Sequence, residues 1–208
     1  MAANKPYKLD AVNNRGVGVR VAFERVSDRF SQTLYGLRKD AVDAVAHSVD
    51  DKDFEGWPLS FPVQELREVE NAAAQRALLL MGSAAYGHWS ATVQVTHFDD
   101  ANPYIEFDVA VRLHRAPAYL GIAYKTIEGA TWTGTPGGLA FAHRPPHSIV
   151  IAAPLKWTEG DVYAPTDFVK AFESPHDANA WLFLPASPLP STYPATYRWK
   201  YCVASALA

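Results

Sequence analysis

His88, Trp89 and Ser90 open an alternating run, "HWSATVQVTHF", that ends in His97-Phe98-Asp99-Asp100. A hydroxyl, two imidazoles and carboxylates are the groups of nucleophilic catalysis. A serine hydroxyl needs a base within hydrogen-bond reach, and that base needs an orienting partner. His88, Ser90, His97 and Asp99 are therefore the catalytic candidates. Against them, His88 and Ser90 stand two residues apart on a strand, about 7 Å from each other, too far for direct proton transfer. No nucleophile elbow of the G-x-S-x-G kind is present.

Metal chemistry has a second set. His143 and His147 are spaced H-x3-H, a ligand spacing on a helix, but Pro145 and Pro146 forbid a helix between them. They would have to converge from a loop, with His114 or Asp161 as a third ligand. Asp50, Asp51 and Asp53 lack the glycine-bearing pattern of a calcium loop. Glu106 and Asp108 share a strand face, where a solvated surface with Arg112 as partner is expected. Gly16 to Gly18 and Gly134 to Gly138 are followed by no Lys-Ser/Thr and are not phosphate loops. No pattern calls for a cofactor. Trp57, Tyr86 and Trp132 are the ligand-binding candidates, because aromatics near loops and strand ends bury large areas at low entropy cost.

Strands must position these groups. Val17, Val19, Val21 and Phe23 alternate with Gly18, Arg20, Ala22 and Glu24, and "FSQTLYGLR" returns after Ser27-Asp28-Arg29, which predicts a hairpin. Residues 41–49 read as a strand. "YIEFDVAVRLH" places Ile105, Phe107, Val109, Val111 and Leu113 inward and Glu106, Asp108, Ala110, Arg112 and His114 outward. "LGIAYKTIEGATW" continues the pattern, and short strands flank "RPPH". Tyr197, Trp199, Tyr201 and Val203 share a closing face. Residues 63–81 are open between two strands and a helix, since they are rich in helix formers. A short helix is expected at Asp167 to Glu173, capped by Thr166.

The expected fold is all-β: an antiparallel β-sandwich or partly closed β-barrel of about ten strands with at most one or two short helices. Residues 1–15 are expected to form a flexible arm and residues 16–208 a single domain. Of 208 residues, 49% are hydrophobic, enough for a proper core. A net charge of -3 and the lack of a basic block disfavour nucleic-acid binding. One cysteine, Cys202, excludes an intrachain disulfide and suits a reducing compartment. The chain shows no signal-peptide core and no membrane-length apolar run, so a soluble cytoplasmic protein is expected.

Three motifs together resemble a group of bacterial proteins of the planctomycete type. They are W-P-x-S-P-P-[LV]-Q-x-L, matched by Trp57-Pro58, Ser60, Pro62 to Gln64 and Leu66; G-x5-H-W-S, matched by Gly82 and His88 to Ser90; and F-D-V-A-x-R, matched by Phe107 to Ala110 and Arg112. Phe61 replaces a proline and Val111 a cysteine. The resemblance covers residues 20–125 and the last dozen. It implies no activity, cofactor or catalytic residue, but it implies strands over residues 64–82 with a turn at Asn71 to Ala74.

Three functions follow as expectations. The first is a non-enzymatic binding or assembly module. The second is a hydrolase-like or metal-dependent enzyme on the residue 88–100 face. The third is a self-assembling shell or virion-type protein that pairs through edge strands as a homo-oligomer.

Overall fold

The computed structural model describes residues 6–49, 58–71, 73–97, 102–118, 120–134, 140–152, 169–173, 179–185 and 188–206. They form fifteen strands in two antiparallel sheets, with no helix among the described residues. The seven-stranded sheet has the order β1-β2-β3-β4-β9-β14-β13, and the eight-stranded sheet the order β10-β11-β12-β15-β8-β7-β6-β5.

The first sheet begins as a meander: β1 (Tyr7–Val12), β2 (Gly18–Val26), β3 (Arg29–Arg38) and β4 (Ala41–Ser48). The chain then crosses over for a second meander of β5 (Glu65–Glu70), β6 (Arg76–Ala84), β7 (Gly87–His97) and β8 (Pro103–Leu113). Strand β9 (Ile122–Thr126) returns to the first sheet. Strands β10 (Thr131–Gly134), β11 (Ala140–Arg144) and β12 (His147–Ala152) belong to the second, and β13 (Val169–Glu173) and β14 (Ala180–Pro185) to the first. The last strand, β15 (Ala195–Ser205), inserts between β12 and β8.

Alternation explains the layering, because successive side chains on a strand point to opposite faces. Val19, Val21 and Phe23 of β2 are buried against Ile105, Phe107, Val109 and Val111 of β8 and Trp199, Tyr201 and Val203 of β15 in one cluster. Phe107 and Tyr201 stack with ring centroids 4.4 Å apart and planes 8° apart. A polar chain crosses this core. The Tyr124 hydroxyl on β9 donates to Gln32 Oε1 on β3 at 3.0 Å and lies 3.1 Å from the Tyr201 hydroxyl on β15. The Gln32 backbone N–H donates to Ser48 Oγ at 3.0 Å.

A second tie closes one end. Opposite Leu34 and Tyr35 stand Ala46 and Ala44, so Val45 is an extra, bulged residue of β4 whose carbonyl accepts the Ile127 N–H at 3.1 Å. Beyond the bulge, Asp43 pairs in register with Gly36. His147 of the other sheet rests on Gly36, where a Cβ would meet the His147 Cβ at 2.4 Å, and its Nε2 lies 2.9 Å from Asp43 Oδ2. Arg144 donates to the Ala44 carbonyl at 2.6 Å.

The sandwich expectation holds, and several details change. Both sheets are open, with edges β1 and β13 in one and β10 and β5 in the other, so there is no closed barrel. The described residues form fifteen strands rather than about ten, because short runs with little alternation become strands by pairing. The run from residue 120 to 132 is two strands in different sheets, joined by a turn in which the Ala130 N–H donates to the Ile127 carbonyl. Val169–Glu173 is a strand paired with β14, not a helix, since tertiary pairing outweighs local propensity; Thr166 and Asp167 lie outside the described residues. Within the expected arm, Tyr7–Val12 is β1, which buries Leu9 and Ala11. Residues 63–81 resolve as strands β5 and β6. No helix among the described residues is long and apolar enough to cross a membrane.

Candidate functional site on the eight-stranded sheet

Strands β6 and β7 join through a turn at Ala85-Tyr86, with Ala84 paired to Gly87. Trp89, Ala91 and Val93 of β7 point into the core, which leaves His88 and Ser90 exposed on the outer face. Cross-strand register decides what His88 meets: Ser83 on β6 and Arg112 on β8. The His88 and His114 rings meet edge to face, with centroids 5.7 Å apart. The His114 N–H donates to the Tyr86 carbonyl at 3.1 Å, which folds the end of β8 over the turn. The Arg115 guanidinium then lies 4.0 Å from the centre of the Tyr86 ring, a cation–π contact.

The result is a patch of two imidazoles, two guanidiniums and a tyrosine. His88, Arg112, His114 and Arg115 are exposed, and among the described residues no carboxylate forms an ion pair with either arginine. Beside it runs a shallow depression of about 380 Å³ lined by Glu65, Met81, Ser83, His88 and Ser90. The Ser83 hydroxyl donates to Gln64 Oε1 at 3.4 Å, so it is held by Gln64.

This geometry does not assemble a serine–histidine pair. Ser90 has Met81 and Ala110 as cross-strand neighbours, and no described carboxylate hydrogen-bonds to His88. A metal held by His88 and His114 would sit beside two guanidiniums, whose charge repels a cation. The described residues contain no group of three or more potential ligands. His143 and His147 fall on opposite faces: His143 is exposed on β11, while His147 is 2% exposed and turned inward to Asp43. His97 ends β7 at a separate cleft.

Asp99 and Trp57 lie outside the described residues, as does Asp161. Trp132 packs on the core, with its ring centre 6.1 Å from that of Trp181 and 5.8 Å from that of Phe183. Of the three aromatic candidates, Tyr86 is the one the structure sets in the patch. The expected Glu106–Arg112 pairing does not form. Glu106 is 6% exposed and accepts from Lys200 at 3.5 Å and from Gln94 at 3.4 Å, while Asp108 pairs with Arg198 at 3.6 Å. Cys202, in the phase opposite Tyr201 and Val203, is fully buried with Tyr104, Ala152 and Ala204 in a second small cluster.

Spacing alone does not single out Arg112 and Arg115. The signal was "RLHR", two cations around a histidine at a strand end; the register that adds His88 was not visible. Searches of protein families, curated proteins and solved structures find no match to the chain.

Proposed function

We propose that the protein is a non-enzymatic binding module that recognises an acidic segment of a partner protein through Tyr86, His88, Arg112, His114 and Arg115. One observation carries this reading: two exposed arginines and two exposed histidines gather on a chain of net charge -3, with no described carboxylate paired to the arginines. Guanidinium forks bind carboxylates in two-point fashion, and the Tyr86 face holds Arg115 in place, which lowers the ordering cost of binding.

The patch is compact and lacks the extended basic stripe that duplex nucleic acid requires. It is open rather than concave, which suits a protein segment better than an enclosed small molecule. Catalysis is the weaker reading because His88 has no orienting carboxylate among the described residues. Assembly through β5 is opposed by its edge charges, Glu65, Arg67, Glu68 and Glu70, which blunt strand addition.

Fluorescence anisotropy with a labelled poly-glutamate peptide tests the proposal. Binding is expected for the wild type, with none for poly-glutamine. Loss of binding is expected in Arg112→Glu/Arg115→Glu. Absence of wild-type binding, unchanged binding in the variant, or equal affinity for duplex DNA overturns it.

A further inference from the structure

A second cationic site lies where the sandwich opens at the far end of β6 and β7. On β6, Leu78 and Leu80 face the core; on β7, Val93 does. The same alternation carries forward to Arg76 on one strand and to Val95 and His97 on the other. Arg76 and His97 are exposed in that phase, so this end is not sealed by packing.

That end is a cleft of about 520 Å³, lined also by Lys8 and Asp10 of the edge strand β1 and by Arg20 of β2, which stand in outward phase on the other sheet. Both guanidiniums are anchored. Arg20 makes a two-point pair with Asp10 at 2.7 and 2.6 Å. Arg76 bridges the sheets, donating to the Lys8 carbonyl at 2.9 Å and pairing with Glu68. Each guanidinium carries five N–H donors, so each keeps donors beyond those used. Lys8 and His97 are exposed and make no ion pair with a described residue. The lining carries Lys8, Arg20, Arg76 and His97 against the carboxylate of Asp10, with Glu68 and Glu70 of β5 flanking Arg76. Half-buried Val95 adds apolar surface beside them.

The geometry points to a binding site for a small organic phosphate monoester, with Lys8, Arg20, Arg76 and His97 on the phosphoryl group and Val95 beside its apolar part. Phosphate oxygens match guanidinium and ammonium donors, and the volume is that of a small-molecule site. This rests on residues distinct from the Tyr86–Arg115 patch.

Thermal-shift and calorimetric titration of the whole chain with phenyl phosphate, at constant ionic strength in chloride, tests it. A saturable rise in Tm is expected, with a weaker effect from inorganic phosphate. Lys8→Ala/His97→Ala, which alters exposed side chains only, is expected to weaken binding about tenfold or more, the effect of losing about 1.4 kcal/mol. Arg112→Glu/Arg115→Glu is expected to bind phenyl phosphate as the wild type does, which separates this site from the first. No saturable shift in a folded wild type overturns the proposal. So does undiminished binding by a Lys8→Ala/His97→Ala variant with its ligand-free Tm intact. Binding to phosphatidic-acid vesicles with none to phenyl phosphate overturns it too, in favour of a lipid surface.

Discussion

The Tyr124 hydroxyl lies 3.1 Å from the Tyr201 hydroxyl, one from each sheet, and neither side chain is exposed. Tyr124 also donates to Gln32, so it is the middle member of the chain. Tyr124→Phe leaves both Gln32 and Tyr201 short of a partner and is expected to cost about 2–3 kcal/mol. Tyr201→Phe leaves the Tyr124–Gln32 bond intact and is expected to cost about 1 kcal/mol. Urea denaturation of the two variants checks the order.

The same pair predicts behaviour at high pH. Burial, then the nearby Tyr124, pushes the Tyr201 phenol well above its usual value of 10.0. The unfolded chain therefore releases this proton first. The contribution is full below about pH 10 and falls by about 1.4 kcal/mol per pH unit above it, up to the folded pKa. Denaturation midpoints from neutral pH to about pH 11 are expected to drop more steeply for the wild type than for Tyr201→Phe.

Asp43 is 37% exposed but its partner His147 is 2% exposed. Losing a partner costs most on the buried side. Asp43→Ala is thus expected to destabilise by about 1–3 kcal/mol, more than an ordinary surface acid. Gly36→Ala places a Cβ 2.4 Å from the His147 Cβ, so a strand must shift, and a loss of about 2 kcal/mol or more is expected by thermal denaturation.

Ala85 holds a φ of +49° in the β6–β7 turn. That conformation costs an L-residue about 1 kcal/mol or more, a strain glycine does not bear, although glycine gives up more entropy on folding. Ala85→Gly is expected to be neutral to stabilising by up to about 1 kcal/mol in urea titration. A marked loss would show that the strain is relieved elsewhere.

Association with an acidic segment is expected to slow as salt rises, because exposed charges are screened beyond about 10 Å at 0.1 M ionic strength. Stopped-flow rates that do not change with salt would separate the interaction from Arg112 and Arg115.

Sequence alone determined the all-β class and the faces of the strongly alternating strands, but not the strands at 7–12 and 169–173 or the choice of strand at 63–81. Period-two patterning assigned Trp89, Phe107, Trp199 and Tyr201 to the core because burial acts on every second residue. It left His88 and Ser90 on the other face, and the two-residue spacing already spoke against a direct dyad. What it did not determine is adjacency. Partners such as Arg112 for His88, Asp43 for His147, and Lys8 for Arg76 lie 24 to 104 residues apart in the chain. They meet only through register, a bulge at Val45 and the crossing of the chain between sheets. For the same reason His143 and His147, four apart in sequence, end on opposite faces. Local spacing fixes which way a side chain points, whereas only the pairing of distant strands fixes what it points at.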